Sequence, residues 1–229
     1  MSFKSLLAIA ALLIAPVTQA AYVTINEAGM DGVFSQASFG QTPIDIRIGA
    51  VTQFVRPTLL DISSDAEIDQ VFNLHVGDKN IVNFYFVDTI SACGLIDAGI
   101  IGCGELPGNN FVVESDWAAN TAIPPGGNIT TGVNILAHEL GHNLGLSHRF
   151  GNNLMNGFVT GFQDLNFAEV ADIRVSPLVQ HDANGFFIMI NPVLIVAAAT
   201  AVPEPSTIFL VLVGLVAVGS WTRVRSGRV

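Results

Sequence analysis

The sequence predicts an α+β domain built on one principal sheet, with a targeting segment at each end. Three observations lead there. Strand-type and helix-type patterns follow one another as strand, helix, strands, helix, helix, the order expected of a mainly single sheet with helices packed on it. Between the two ends about 180 of the 229 residues remain, enough for one domain with a sizeable core. Both ends have the composition of processing signals, which take no part in a fold.

Along the chain, Lys4 precedes an apolar run from Leu6 to Val17, followed by Thr18-Gln19-Ala20. A basic start, an apolar middle and a small-residue exit make residues 1–20 a signal peptide cut after Ala20. Tyr22–Ile25 has the composition of a first strand, and the rest of 21–40 is polar, glycine-rich and uninformative. Ile44-Asp45-Ile46-Arg47-Ile48 alternates apolar and polar as a half-buried strand does, and the pattern can be followed to Val55. Ser64-Asp65-Ala66-Glu67 has the form of a capping box. It opens a helix with Ala66, Ile68, Val71, Phe72 and Leu74 at roughly helical spacing, stopped by Gly77 and Asp78. Ile81–Ile90 is dense in β-branched and aromatic residues and reads as one strand.

Two more strands follow, near Gly99–Gly104 and Phe111–Ser115, joined through the turn signal Leu106-Pro107-Gly108-Asn109-Asn110. Ile123–Asn128 is a Pro/Gly loop. Thr130 or Thr131 caps a helix carrying Ile135 to Asn143. After Gly151 the pattern is loop until a last helix near Leu165–Val175, ended by Ser176-Pro177. The domain is thus 21–201. Beyond it, Val202-Pro203-Glu204-Pro205-Ser206-Thr207 leads into apolar Ile208–Trp221 and then Arg223, Arg225 and Arg228. The apolar stretch is shorter than the roughly 20 residues of an ordinary spanning helix, with arginines that favour a cytoplasmic end. A stop-transfer anchor is the plain reading. The Pro-Glu-Pro triplet, apolar stretch and basic end together resemble the PEP-CTERM sorting signal of Gram-negative bacteria. That resemblance implies a transient membrane anchor in 202–229, an exosortase-type processing partner, and a chain exported to the cell surface, extracellular matrix or medium.

The formal charge of the whole chain is −10. Without the two end segments 5 basic and 18 acidic side chains remain, about −13. Such a domain has no electrostatic attraction for nucleic acid or anionic lipid. Cys93 and Cys103 are an even pair in an exported chain and read as a disulfide. Their spacing is not the Cys-x-x-Cys of redox or metal sites.

The chemistry concentrates in His138-Glu139-Leu140-Gly141-His142-Asn143-Leu144-Gly145-Leu146-Ser147-His148. Histidines four apart share one helix face, so His138 and His142 can turn both imidazoles to one ion. Glu139 lies beside them, able to face a water without ligating the metal. Gly145 can take a positive φ and turn the chain so that His148 supplies a third nitrogen. Three protein ligands leave a position open, the mark of a catalytic zinc rather than a structural one. With five fixed positions at roughly one in twenty each, chance gives on the order of one match in several million windows.

This pattern resembles the long zinc-binding consensus of the metzincins: astacins, serralysins, adamalysins and matrixins. The resemblance implies a metzincin-like catalytic domain. Its sheet would be twisted and mostly parallel with an antiparallel edge strand, beside an active-site helix and a C-terminal helix. His138, His142 and His148 would hold one Zn2+, Glu139 would act as general base, and Gly145 would make the turn. A methionine in a tight turn is implied beneath the site, and Met155 in Asn152-Asn153-Leu154-Met155-Asn156-Gly157 is placed for it; otherwise it fills the core. The implied activity is secreted endopeptidase, with protein or peptide substrates. Asn143 and Leu144 resemble the adamalysin pattern. Arg149, however, stands where adamalysins carry aspartate, astacins glutamate, serralysins proline and matrixins serine or threonine. No tyrosine follows Met155.

In metzincins an edge strand pairs with extended substrate; Gly99–Gly104 is the candidate, against a plain hairpin with no substrate contact. Specificity is expected in the wall after the methionine turn, 157–164. His75 and His181 read as surface or satisfied residues. Asp88, Asp97, Glu105, Glu114 and Asp116 lack EF-hand spacing and read as a solvated acidic face, so no motif supports calcium. The alternative to an enzyme is a catalytically weak surface or matrix protein that keeps the fold for binding.

Overall fold

The computed structural model describes residues 25–94 and 99–197. The expected signal peptide, the expected strand from Tyr22 to Thr24, Asp97 and the tail from 202 lie outside them. The described residues begin with helix α1 (Glu27–Phe34), where Asn26 accepts from the Gly29 N–H at 3.0 Å. Its Met30, Val33 and Phe34 are buried. The sequence reading left this segment unassigned and carried a strand to Ile25, which is not in a strand. Two glycines in eight residues weaken helix propensity, and burial overrides it.

The elements continue as β1 (Ile44–Ile48), β2 (Thr52–Val55), β3 (Asp61–Ile62), α2 (Asp65–Phe72), β4 (Ile81–Val87) and β5 (Thr89–Ile90). Next come β6 (Gly102–Gly104), β7 (Asn110–Glu114), α3 (Ser115–Ala118), α4 (Thr131–Asn143), α5 (Phe167–Val175), β8 (Gln180–Asp182) and β9 (Gly185–Val196). The main sheet runs β1-β9-β4-β7-β6, with β2 and β8 also paired to β9. Its pairings are parallel except for the edge strand β6 on β7 and the short β8 on β9. The architecture is α+β with a mostly parallel mixed sheet.

Three expectations need correction. The strand expected from Ile44 to Val55 is broken at 49–51, and the one from Ile81 to Ile90 is broken at Asp88, where Leu60 O takes the N–H groups of Asp88 and Thr89. The capping box at Ser64 does not form: Glu67 instead accepts from the Ser63 N–H at 2.7 Å and from both serine hydroxyls. The largest correction is β9, where no strand was expected. It is an interior strand of the sheet and pairs with β1, β2, β4 and β8.

Side chains of β4 alternate between two cores. Val82, Phe84 and Phe86 join α1, α4 and α5 on one face. Tyr85 and Val87 join α2 and Cys103 on the other. Helix α4 lies on the first face, burying Ile135, Leu136, Ala137 and Leu140 against it. That face sets how its polar residues meet the edge strand.

Candidate metal centre

Helix α4 opens at Thr130, whose hydroxyl accepts weakly from the Val133 N–H at 3.4 Å. Its end is a Schellman turn. Leu146 N–H donates to Gly141 O and Gly145 N–H to His142 O, both at 2.9 Å, and Gly145 has φ +96°. The turn reverses the chain and returns His148 to the face that carries His138 and His142.

The three imidazoles converge on one point. His148 Nε2 lies 3.2 Å from His138 Nε2 and 3.1 Å from His142 Nε2. Carbonyl oxygens fix the tautomers. His138 Nδ1 donates to Leu154 O at 2.8 Å, and His142 Nδ1 donates to Leu146 O at 2.7 Å. A carbonyl only accepts, so in the neutral rings both protons sit on Nδ1 and both Nε2 atoms present lone pairs. A proton on His148 Nε2 can point at only one of these lone pairs, whereas one cation can meet all three nitrogens. Two nitrogens each about 2.0–2.1 Å from one tetrahedral ion would stand about 3.3 Å apart, close to the two spacings to His148, and the three ligand atoms all lie within 4.8 Å of one another. The residues therefore fit a single divalent metal, and this is the one metal-competent cluster of three or more ligand-type residues among the described residues.

Burial prepares the ligands. It pushes the His138 imidazole down to about 4 and lowers that of His142, keeping both neutral near pH 7. Burial also pushes the Glu139 carboxyl up to about 8. Glu139 is only 7% exposed, and its carboxyl makes no hydrogen bond to a described residue. Structural carboxylates are normally paired, so an unpartnered buried acid beside a ligand cluster is a candidate functional-site residue.

Met155 is fully buried below the helix. A Cβ at Gly141 would fall 2.5 Å from its sulfur, so the thioether occupies space that glycine leaves open. The turn that presents it is tied by Arg149 N–H to Met155 O at 2.8 Å and by the Asn153 amide to Phe150 O at 3.0 Å. Arg149 makes a bidentate pair with Glu169 on α5, at 2.8 and 3.1 Å. The Cys93–Cys103 disulfide is formed. His75 bonds Asn110 Oδ1 at 2.8 Å, and His181 meets Phe186 edge to face.

A groove of about 500 Å3 opens beside the triad, between Gly99–Gly102 and residues 156–159. Ile100, Ile101, Ile135 and Val159 give it an apolar lining, and Phe150 and Phe158 stand at it 99% and 82% exposed. Two asparagines of α4 tie the site to its surroundings. Asn134 holds the far wall through Phe162 O at 2.9 Å and Gly161 N–H at 3.2 Å. Asn143 donates to Glu105 O and Asn110 O, at 3.1 and 3.0 Å, binding the helix to the β6–β7 connection. Asn134 precedes His138 by one turn, so its place on the same face was legible. Of the acidic residues, Glu105 accepts from the Asn109 and Asn110 N–H groups and Glu114 from that of Ile90.

Residues 201–226 match the model of the PEP-CTERM protein-sorting motif. The motif implies recognition by an exosortase-type enzyme and marks proteins exported and sorted to the surface of Gram-negative bacteria. Among the described residues no helix is long and apolar enough to cross a membrane; the stretch Ile208–Trp221 is outside them. No curated protein and no solved structure is significantly similar to the chain.

Proposed function

We propose that the domain is a zinc-dependent endopeptidase of the metzincin type, carried to the cell surface by its sorting tail. One observation bears most of the weight: three histidine Nε2 atoms converge beside a buried carboxyl with no partner, at a groove bordered by a sheet edge. The mostly parallel sheet with its antiparallel edge strand agrees with the fold the motif implies. The C-terminal origin of β9 is a feature the resemblance does not supply.

In this reading His138, His142 and His148 hold the ion, their rings oriented by Leu154 O and Leu146 O. Such carbonyl partners also raise the basicity of the ligating nitrogen. Bound zinc would supply Lewis acidity toward a peptide carbonyl and acidify water near neutral pH. Glu139 would take a proton from water as the water oxygen bonds the peptide carbonyl carbon, and hand that proton to the leaving amine nitrogen as the C–N bond breaks. A nearby dication favours the ionised carboxylate, which sets Glu139 in the basic form that burial alone opposes. Among the described residues β6 ends the sheet order, a place where the backbone of an extended peptide can add as a further strand. The apolar groove would take one of its side chains and exclude water around the reacting bond.

The test is zinc content and cleavage of a mixed peptide library by the full chain. About one zinc per chain with cleavage is expected. Glu139→Ala should keep zinc and lose activity by orders of magnitude, and His142→Ala should lose both. An unchanged rate in the Glu139 variant would end the mechanism.

A further inference from the structure

We propose that Gly102 and Gly104 are positioning residues for Glu139, and that the side-chain-free face of β6 is the seat in which its carboxylate lies. The catalytic consequence rests on the peptidase reading above; the packing itself does not.

Strand β6 is three residues, Gly-Cys-Gly. Side chains alternate across a strand. Cys103 turns to the second core and is bonded to Cys93, so positions 102 and 104 both face α4. A Cβ built at 102 would lie 2.5 Å from Glu139 Oε1, 2.8 Å from Cδ and 2.9 Å from Cγ. All three atoms belong to one side chain, so a methyl group there would move the carboxylate rather than the backbone. At 104 the approach is looser, 3.2 Å to Oε2 and 3.4 Å to the Glu139 carbonyl.

Glycine weakens a strand interior through entropy and lost packing, and two in three residues is a poor way to build one. The arrangement makes sense if the empty space is used. Glu139 uses it. Among the described residues its carboxyl has close steric neighbours and no hydrogen-bond partner, and the glycine face is one of those neighbours. The disulfide holds the same strand from the opposite side.

The experiment is a double-variant cycle in the full chain: Gly102→Ala, Glu139→Ala and both together. Urea unfolding of the metal-free forms reads the packing. Gly102→Ala should destabilise the chain when Glu139 is present, and that cost should vanish in the Glu139→Ala background, where the methyl has room. With zinc, Gly102→Ala should keep one metal ion per chain and leave KM little changed. Its kcat should fall about 100-fold, the scale on which an ångström of misplacement is felt. Gly104→Ala should fall between it and the parent, and the double variant should be no slower than Glu139→Ala alone. An equal stability cost in both backgrounds, or an unchanged kcat in Gly102→Ala, would overturn the proposal. If the parent chain cleaves nothing, the peptidase reading fails and the urea cycle alone decides the seat.

Discussion

Replacing Gly145 by alanine separates two ways in which the turn after α4 can serve the metal site. Gly145 sits at φ +96° with no atom within 4 Å of a Cβ built on it. The penalty for alanine is therefore backbone strain without a clash, about 1–3 kcal/mol. That strain has two outlets. If the Schellman turn holds without metal, the whole cost appears as lost stability of the metal-free chain and zinc affinity is unchanged. If the turn lets go, His148 leaves the triad, metal-free stability is kept, and binding of the proposed zinc must rebuild the turn. Affinity then falls by roughly 5- to 150-fold, the same energy expressed as a dissociation constant. Urea unfolding of the metal-free chain and competition with a chelator measure the two parts. Their sum should be about 1–3 kcal/mol however it divides, and Gly145→Asn should recover much of it because asparagine tolerates positive φ. Both quantities unchanged would refute the role given to the turn.

Two further outcomes follow from the buried groups. In the metal-free chain Glu139 holds its proton up to about pH 8, whereas in the unfolded chain it loses it near 4.5. The folded state therefore binds more protons between those values, and stability falls as pH rises through that window. Glu139→Gln has no such dependence, so its advantage over the parent should widen from about pH 4.5 to 8, by as much as a few kcal/mol. Thermal melts across that range check it, and a constant difference would contradict the burial argument. Asn143 is 1% exposed and donates to two carbonyl oxygens. Asn143→Ala should cost about 1–3 kcal/mol, and Asn143→Asp more, because a carboxylate would face two acceptors without a donor. If urea unfolding ranks aspartate as the milder change, the hydrogen bonding of that amide is wrongly assigned.

The site was more legible than the fold, for a physical reason. His138, His142, Gly145 and His148 lie within one helix and the turn that ends it, so spacing alone brings them together. Cys93 and Cys103 are nearly as local. What spacing could not give is the setting. The burial that shifts Glu139 depends on a strand some 35 residues earlier in the chain, and in sequence the two glycines that admit its carboxyl are only two residues of an expected edge strand. Asn143 was noticed as a match to a pattern, yet its work lies in carbonyls of the β6–β7 connection, which no local reading reaches. Arg149 departs from every subfamily pattern and finds a partner in Glu169 on α5, a contact set by tertiary packing.

The misread strands share one cause. Gly185–Val196 is a nearly continuous apolar run, as a strand covered on both faces should be, but Pro192 argues against a central place because it cannot donate to a ladder. The register resolves this. Ile48 pairs with Ile190 and Thr52 with Val193, so residues 49–51 stand opposite only Asn191 and Pro192. That is a bulge of one residue. Alternate residues of a strand bond to the same neighbour, and Ile190 accepts from Gly49 N–H, so Pro192 turns its missing donor to this side as well. The absent N–H thus falls where the ladder is already interrupted, while pairing with β4 continues unbroken from Ile81 to Phe86. The interruption that splits the long strand expected from Ile44 to Val55 is the one that lets a proline sit in the middle of the sheet. The unbroken side is the one that matters for the site, since Phe84 and Phe86 of β4 support the core on which α4 and its histidines rest.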